Sequence, residues 1–183
     1  MKTELNLGFL YRSQGRYKEA ETLLKEAVAE CQRSDPHSDT SIVALNNLGD
    51  LYRAEGKFEA AQELLMQALK ECQMGGRDEH PFKGSILTNL GQAALDVGEL
   101  ARAQTPLEAA SASQSHATGG GDPRLASILE TIGSIHLLTG DYGDAEHAWI
   151  HAASIRAAQE DSIPLARTQV QVADLYVAEG RSR

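Results

Sequence analysis

Apolar residues recur three and four positions apart along almost the whole chain, the spacing of amphipathic helices, and glycine or proline interrupts them at regular intervals. The interruptions are in phase. Gly8, Gly49, Gly91 and Gly133 lie 41, 42 and 42 residues apart, and Ala173 follows 40 residues later. Seven residues beyond each comes a second glycine: Gly15, Gly56, Gly98, Gly140 and Gly180. Nine beyond stands a large apolar residue (Tyr17, Phe58, Leu100, Tyr142), and twelve beyond an alanine (Ala20, Ala61, Ala103, Ala145). Sixteen beyond come Leu24, Leu65, Leu107 and Trp149, and nineteen beyond another alanine. A period near 42 residues held in this way marks an internal repeat.

Each repeat predicts two helices. First helices are expected near 2–14, 41–55, 84–97, 124–139 and 164–179, and second helices near 17–33, 58–73, 100–116 and 142–159. The second glycine breaks the helical pattern and suits the left-handed conformation at a helix C-terminus. The first lies mid-helix, where glycine costs about 1 kcal/mol against alanine, so close approach of another helix must compensate. "GDPRLASIL" is the clearest helix start, with Asp122 as cap and Pro123 in the first turn. Pro106 sits inside the third second-helix and is expected to kink or shorten it. The "SASQSHATGGG" that follows is expected to be the most mobile loop.

The Leu-Gly-x-x-Tyr … Gly … Ala-x-x-x-(large) … Ala pattern resembles the tetratricopeptide repeat, whose usual period is 34. The longer period, "ALNNLGDLYRAEGKFEAAQELLMQAL" and "DEHPFKGSILTNLG" are similar to the kinesin-light-chain subtype. The resemblance implies an all-α fold, a right-handed α-solenoid of about nine helices. It divides the chain into repeats at about 1–36, 37–81, 82–122 and 123–160, with an unpaired or capping helix over 161–183. It also implies a protein-interaction scaffold, not an enzyme.

At 100° per residue, the positions at −1, 0 and +3 from the first glycine form a core face, for instance Leu48, Gly49 and Tyr52. Positions −6, −3, −2, +1, +4 and +5 form the opposite face. They include Leu5 in the first repeat, Val43 in the second and Glu130 in the fourth. Tetratricopeptide families line a concave groove with these positions. The partner-binding residues so implied are Lys2, Asn6, Phe9, Arg12, Asn46, Asn47, Asp50, Arg53, Asn89 and Gln92. Asn recurs at −2 as Asn6, Asn47 and Asn89, and an amide can bond the backbone of an extended peptide whatever its sequence. Arg12 and Arg53, with Lys2, make a cationic spot, and the same +4 position becomes Leu95, Leu137 and Val177 farther along. That gradient suits a segment acidic at one end and apolar at the other. Co-chaperone members of the family grip a C-terminal carboxylate with Lys and Asn. The corresponding positions here are Leu5, Phe9, Ser85 and Asn89, so that clamp is not expected.

Composition narrows the partner. The 183 residues carry a formal net charge of −9, and only 5% are aromatic. Small apolar residues favour closely packed helices, and a uniformly acidic surface disfavours nucleic acid and anionic membranes. No apolar run approaches the roughly 20 residues of a membrane span, and "MKTELNLGFLYRSQG" lacks the apolar core of a signal peptide. Cys31 and Cys72, 41 apart, fall at the same point of two repeats and read as buried thiols in a reducing, cytoplasmic setting.

Catalytic and metal motifs are not visible. His147 and His151 share a helix face but have no evident third ligand, so a solvated face is expected. His136 takes the Tyr slot of its repeat and is expected to be a hydrogen-bonded core histidine. Gly119–Gly121 lacks the Lys-Ser/Thr of a phosphate loop, and no Gly-x-Ser-x-Gly surrounds the serines of "SASQS". No cofactor is expected. The last stretch, "VADLYVAEGRSR", reads as a first helix without its mate. It either caps the array or belongs to a regulatory arm of a larger signalling protein, self-associating through that helix.

Overall fold

A computed structural model describes residues 2–74, 80–159 and 162–178. Nine α-helices are present among the described residues. They are α1 (Lys2–Ser13), α2 (Tyr17–Ser34), α3 (Asp39–Ala54), α4 (Phe58–Met74), α5 (Lys83–Asp96), α6 (Leu100–Thr118), α7 (Pro123–Thr139), α8 (Tyr142–Ala158) and α9 (Ser162–Ala178). Odd-numbered helices are the first helices of the sequence repeat, and even-numbered ones the second. The chain divides into two compact units, Met1–Pro106 and Leu107–Arg183.

Within the first unit, Leu24, Leu45, Leu48, Leu51, Leu65 and Ile86 pack into one core, with Ala20, Ala44 and Ala68 letting the helices close together. The mid-helix glycines explain the residue sixteen positions on. A Cβ on Gly8 would meet Leu24 Cγ at 2.9 Å, and one on Gly49 would meet Leu65 Cγ at 2.8 Å. In the second unit a Cβ on Gly133 would meet Trp149 Nε1 at 2.5 Å. Each of these glycines is the socket for the large side chain of its own second helix.

The inter-helix glycines act through the backbone. Gly15, Gly56, Gly98 and Gly140 have φ of 73°, 75°, 79° and 85°, while Gly180 lies outside the described residues. After each, the next residue's N–H donates five residues back. Arg16 bonds Tyr11 O at 2.9 Å, Lys57 bonds Tyr52 O at 2.8 Å, Glu99 bonds Ala94 O at 2.9 Å and Asp141 bonds His136 O at 2.8 Å. This 6→1 closure satisfies a carbonyl that the helix end leaves open.

The second unit packs Leu125, Ala126 and Leu129 of α7 against Ala152 and Ile155 of α8. Ala145 and Trp149 meet Leu175 of α9. Helix α7 starts as its sequence requires: Asp122 accepts from Arg124 N at 2.7 Å, with Pro123 at the first turn. The hydrogen bond from the Arg124 side chain holds the Asp122 carboxyl below its ordinary range, against the opposing pull of burial.

Three expectations are corrected. Pro106 does not shorten its helix: α6 is 19 residues long and runs through it. Proline removes one N–H from the ladder and crowds the carbonyl four residues back, but the helix continues through it, helped by residues rich in alanine, the strongest helix former. The "SASQSHATGGG" loop is accordingly helical up to Thr118, and the turn is confined to Gly119 and Gly120, both at positive φ. His136 is largely buried but has no hydrogen bond at Nδ1, which lies 3.7 Å from Asp141 Oδ2. Asp141 instead takes a 2.7 Å bond from Thr139 Oγ1.

Both cysteines are free and buried, and burial raises their thiol pKa, that of Cys72 to about 11. His147 and His151 are exposed. Among the described residues no helix is long and apolar enough to cross a membrane.

Candidate protein-interaction face

In the first unit, helices α1, α3 and α5 turn the expected groove residues to one side, where they bond across the repeats. Arg12 Nη2 of α1 donates to Asp50 Oδ1 of α3 at 2.8 Å, with Oδ2 also at 2.8 Å. Arg53 Nη1 donates to Asp96 Oδ2 of α5 at 2.9 Å, and its Nη2 to Asp50 Oδ1 at 3.3 Å. Asp50 thus bridges two arginines one repeat apart. Beside this chain, Asn89 Nδ2 donates to Asn46 Oδ1 at 3.0 Å.

The cationic spot expected from Arg12 and Arg53 is therefore corrected. Position +4 of one repeat meets +1 or +5 of the next, so these guanidiniums are spent on Asp50 and Asp96. Burial disfavours the charged Arg53, but the hydrogen bonds and negative charges of Asp96 and Asp50 together outweigh it and leave the pKa raised. The Lys2 side chain lies outside the described residues. Of the other expected residues, Phe9 is 55% exposed, Asn6 is exposed, and Asn47 and Gln92 are half-buried.

Leu5 is a further correction. It is 4% exposed and belongs to the core of the first unit. Position −3 lies at the edge of the face, where the neighbouring repeat covers it. A cleft of about 340 Å³ opens there, lined by Leu5, Asn6, Asp39, Thr40, Val43 and Phe82. Its floor and walls are apolar, and an amide, a hydroxyl and a carboxylate stand around it.

The Phe82 wall is fixed by a histidine. His80 is 2% exposed and lies 5.5 Å from the Phe82 ring, centroid to centroid. Its Nδ1 accepts from Phe82 N–H at 3.3 Å, which places the ring proton on Nε2, 3.2 Å from Asp39 Oδ1. One imidazole thus ties the start of α3 to the start of α5.

In the second unit the same register carries different chemistry. Glu130, expected on the groove face, is 7% exposed, and Arg156 and Thr168 are 6% and 0% exposed. Arg156 Nε donates to Glu130 Oε1 at 3.3 Å, and Thr168 Oγ1 donates to the same oxygen at 2.8 Å. Arg156 Nη2 donates to Ser127 Oγ at 2.8 Å. Of the apolar residues of this face, Leu138 is 69% and Val177 65% exposed, while Leu137 is half-buried against Ala145, Trp149 and Leu175.

These helix pairs, with a glycine socket in one helix and a large side chain in its mate, match tetratricopeptide-repeat family models over residues 1–70, 44–115 and 88–161. The chain belongs to the tetratricopeptide-repeat family. Proteins of this family are generally non-enzymatic scaffolds. A comparison with curated proteins gives no significant match.

Solved tetratricopeptide structures share the fold. BtubC (BKLC) from P. vanneervenii aligns with a TM-score of 0.85 at 24% identity, over 96% of this chain and 71% of that one. A putative kinesin light chain with nearly identical TPR-like repeats from Podosopora anserina gives 0.83 at 22%, over 98% and 87%. A Rap protein complexed with competence and sporulation factor gives 0.80 at 12%, over 98% and 52%. The fold class is thus the all-α tetratricopeptide solenoid of kinesin-light-chain-like type. The repeat is legible in the sequence. Asp39, Thr40, His80 and Phe82 are not, because they lie at helix starts outside the glycine register. The one available signal was the aromatic pair in "HPFKG".

Proposed function

We propose that this tetratricopeptide protein is an interaction scaffold that holds an extended segment of a partner protein along α1, α3 and α5. The observation that carries it is the arrangement of that face. Asn6, Asn47 and Asn89 recur in phase on three successive first helices, beside an apolar cleft and on a surface pinned by inter-repeat ion pairs. An extended peptide offers backbone N–H and C=O groups that amides on a rigid array can meet in register. Rigidity favours binding because little side-chain freedom remains to be lost. The Rap structure, in complex with a named factor, supports the use of this fold for binding.

The test is selection of random peptides displayed on phage against the whole chain, followed by anisotropy with the selected peptides. The double variant Asn47→Ala/Asn89→Ala is expected to weaken binding about tenfold or more, the scale of losing two peptide hydrogen bonds. Unchanged affinity in the folded variant would show that the peptide lies elsewhere.

A second reading, self-association, is favoured by α9, where Val170 and Val177 are 58% and 65% exposed. Sedimentation over a range of concentrations decides it. A monomer throughout argues against this reading, and a dimer abolished by Val177→Glu supports it.

A further inference from the structure

We infer that the cleft between Asn6, Val43 and Phe82 is the specificity pocket of this face, and that it takes one large uncharged apolar side chain of an extended partner segment, not an acidic one. This rests on the peptide-binding reading above and supplies the partner chemistry. Three observations lead to it.

The first is size. A cleft of about 340 Å³ has room for a leucine, methionine or phenylalanine side chain. The second is lining. Leu5, Val43 and Phe82 are continuous with the core of the unit, so a side chain placed there extends a packed apolar layer. Asn6 and Thr40 stand beside it, where the backbone on either side of the anchor would find a donor and an acceptor. Leu5 is held by the core and Phe82 by His80, so the pocket is formed before anything binds.

The third is charge. The cations that suggested an acidic ligand are already paired: two guanidiniums, Arg12 and Arg53, face two carboxylates, Asp50 and Asp96. An acidic residue would have to displace one of these carboxylates. At the cleft itself the lining carboxylate is Asp39, with His80 Nε2 3.2 Å from its Oδ1.

The whole chain, labelled with nitrogen-15, is titrated with N-acetyl-leucine-N-methylamide and separately with N-acetyl-aspartate-N-methylamide. The leucine probe is expected to shift the amides of Thr40, Val43 and Phe82, and the aspartate probe to leave them in place. Val43→Phe fills the cleft with its own ring while keeping the site apolar, and should abolish the leucine shifts. It should also weaken display-selected peptides about tenfold, the loss of one apolar anchor. Its helical circular dichroism and melting curve report that it is folded. The milder Thr40→Val keeps the cleft open and should retain the leucine shifts.

Leucine shifts that persist in Val43→Phe, or an acidic consensus among selected peptides with affinity falling steeply in salt, would overturn the inference. Peptides that bind α1, α3 and α5 with no apolar preference would also overturn it while leaving the scaffold reading intact. Leucine shifts confined to the cleft, with no peptide selected at all, would support the pocket and sink the peptide-binding reading instead.

Discussion

The two units use one repeat register to opposite ends. In the first, charged residues on the first helices meet at the surface: the Arg12 and Asp50 side chains are 22% and 16% exposed, and Asp50 serves two arginines. In the second, position −3 carries Glu130, whose carboxylate is closed in by Arg156 and Thr168 with almost no solvent. The first arrangement trims a face that stays open to a partner. The second ties three helices, α7, α8 and α9, through one oxygen atom. Polar residues of the same first-helix face can therefore pair at the surface in one unit and in the core of the other.

The sharpest way to break that comparison is to remove Glu130. Glu130→Ala removes the carboxylate facing the buried Arg156, and a stranded buried charge costs about 3–5 kcal/mol. The chain has a single tryptophan, Trp149, whose Nε1 donates to Glu130 O at 3.1 Å, so its fluorescence in urea reports this unit. The double variant Glu130→Leu/Arg156→Leu should recover most of the loss, since an apolar replacement removes the stranded charge. Equal destabilisation by the single and double variants would mean that packing, not charge, is what fails.

A middle-sized effect separates the glycine sockets. Gly133→Ala drives a Cβ into the Trp149 ring, whose nearest atom would be 2.5 Å away, and a rigid indole cannot yield. The expected loss is about 1–3 kcal/mol, the range for overpacking. Gly49→Ala meets Leu65 Cγ at 2.8 Å and the Ala61 carbonyl oxygen at 3.3 Å, each farther than the indole contact, and an aliphatic side chain can turn about its χ angles as a fused ring cannot. It should cost less, and thermal melts of the two variants give the order directly.

The smallest effect belongs to the surface chain of the first unit. Arg12→Ala should cost no more than about 1 kcal/mol, as partly exposed pairs do. A double-mutant cycle with Asp50→Ala measures the coupling. A loss as large as that of Glu130→Ala would erase the distinction between the units.

Much of this was legible in the sequence because the repeat is written in residues with strong backbone or steric demands. Gly15, Gly56, Gly98 and Gly140 take left-handed conformations that few other residues tolerate, and Gly8, Gly49 and Gly133 leave room for one named side chain each. Helix ends followed to within two residues of the predicted positions nearly everywhere. The failures share a cause. Pro106 and "SASQSHATGGG" carry local breaker signals, whereas the alanine-rich helix around them continues through the proline. The arginines were read as a free spot because periodicity assigns residues to a face but does not show what the adjacent repeat places opposite them. Leu5 and Glu130 lie at the margin of that face, where a shift of a few tens of degrees separates groove from core. The cleft arises from helix starts whose spacing is not part of the register.

The central claim is that the α1, α3 and α5 face holds a peptide by its backbone. Its most direct test is a titration of the labelled chain with a display-selected peptide, following the side-chain amide resonances of Asn6, Asn46, Asn47 and Asn89 together. The account predicts that these four move in concert at a single dissociation constant while the amides of α2 and α4 stay put. Saturable binding that leaves the four unmoved and shifts α2 or α4 instead would contradict it.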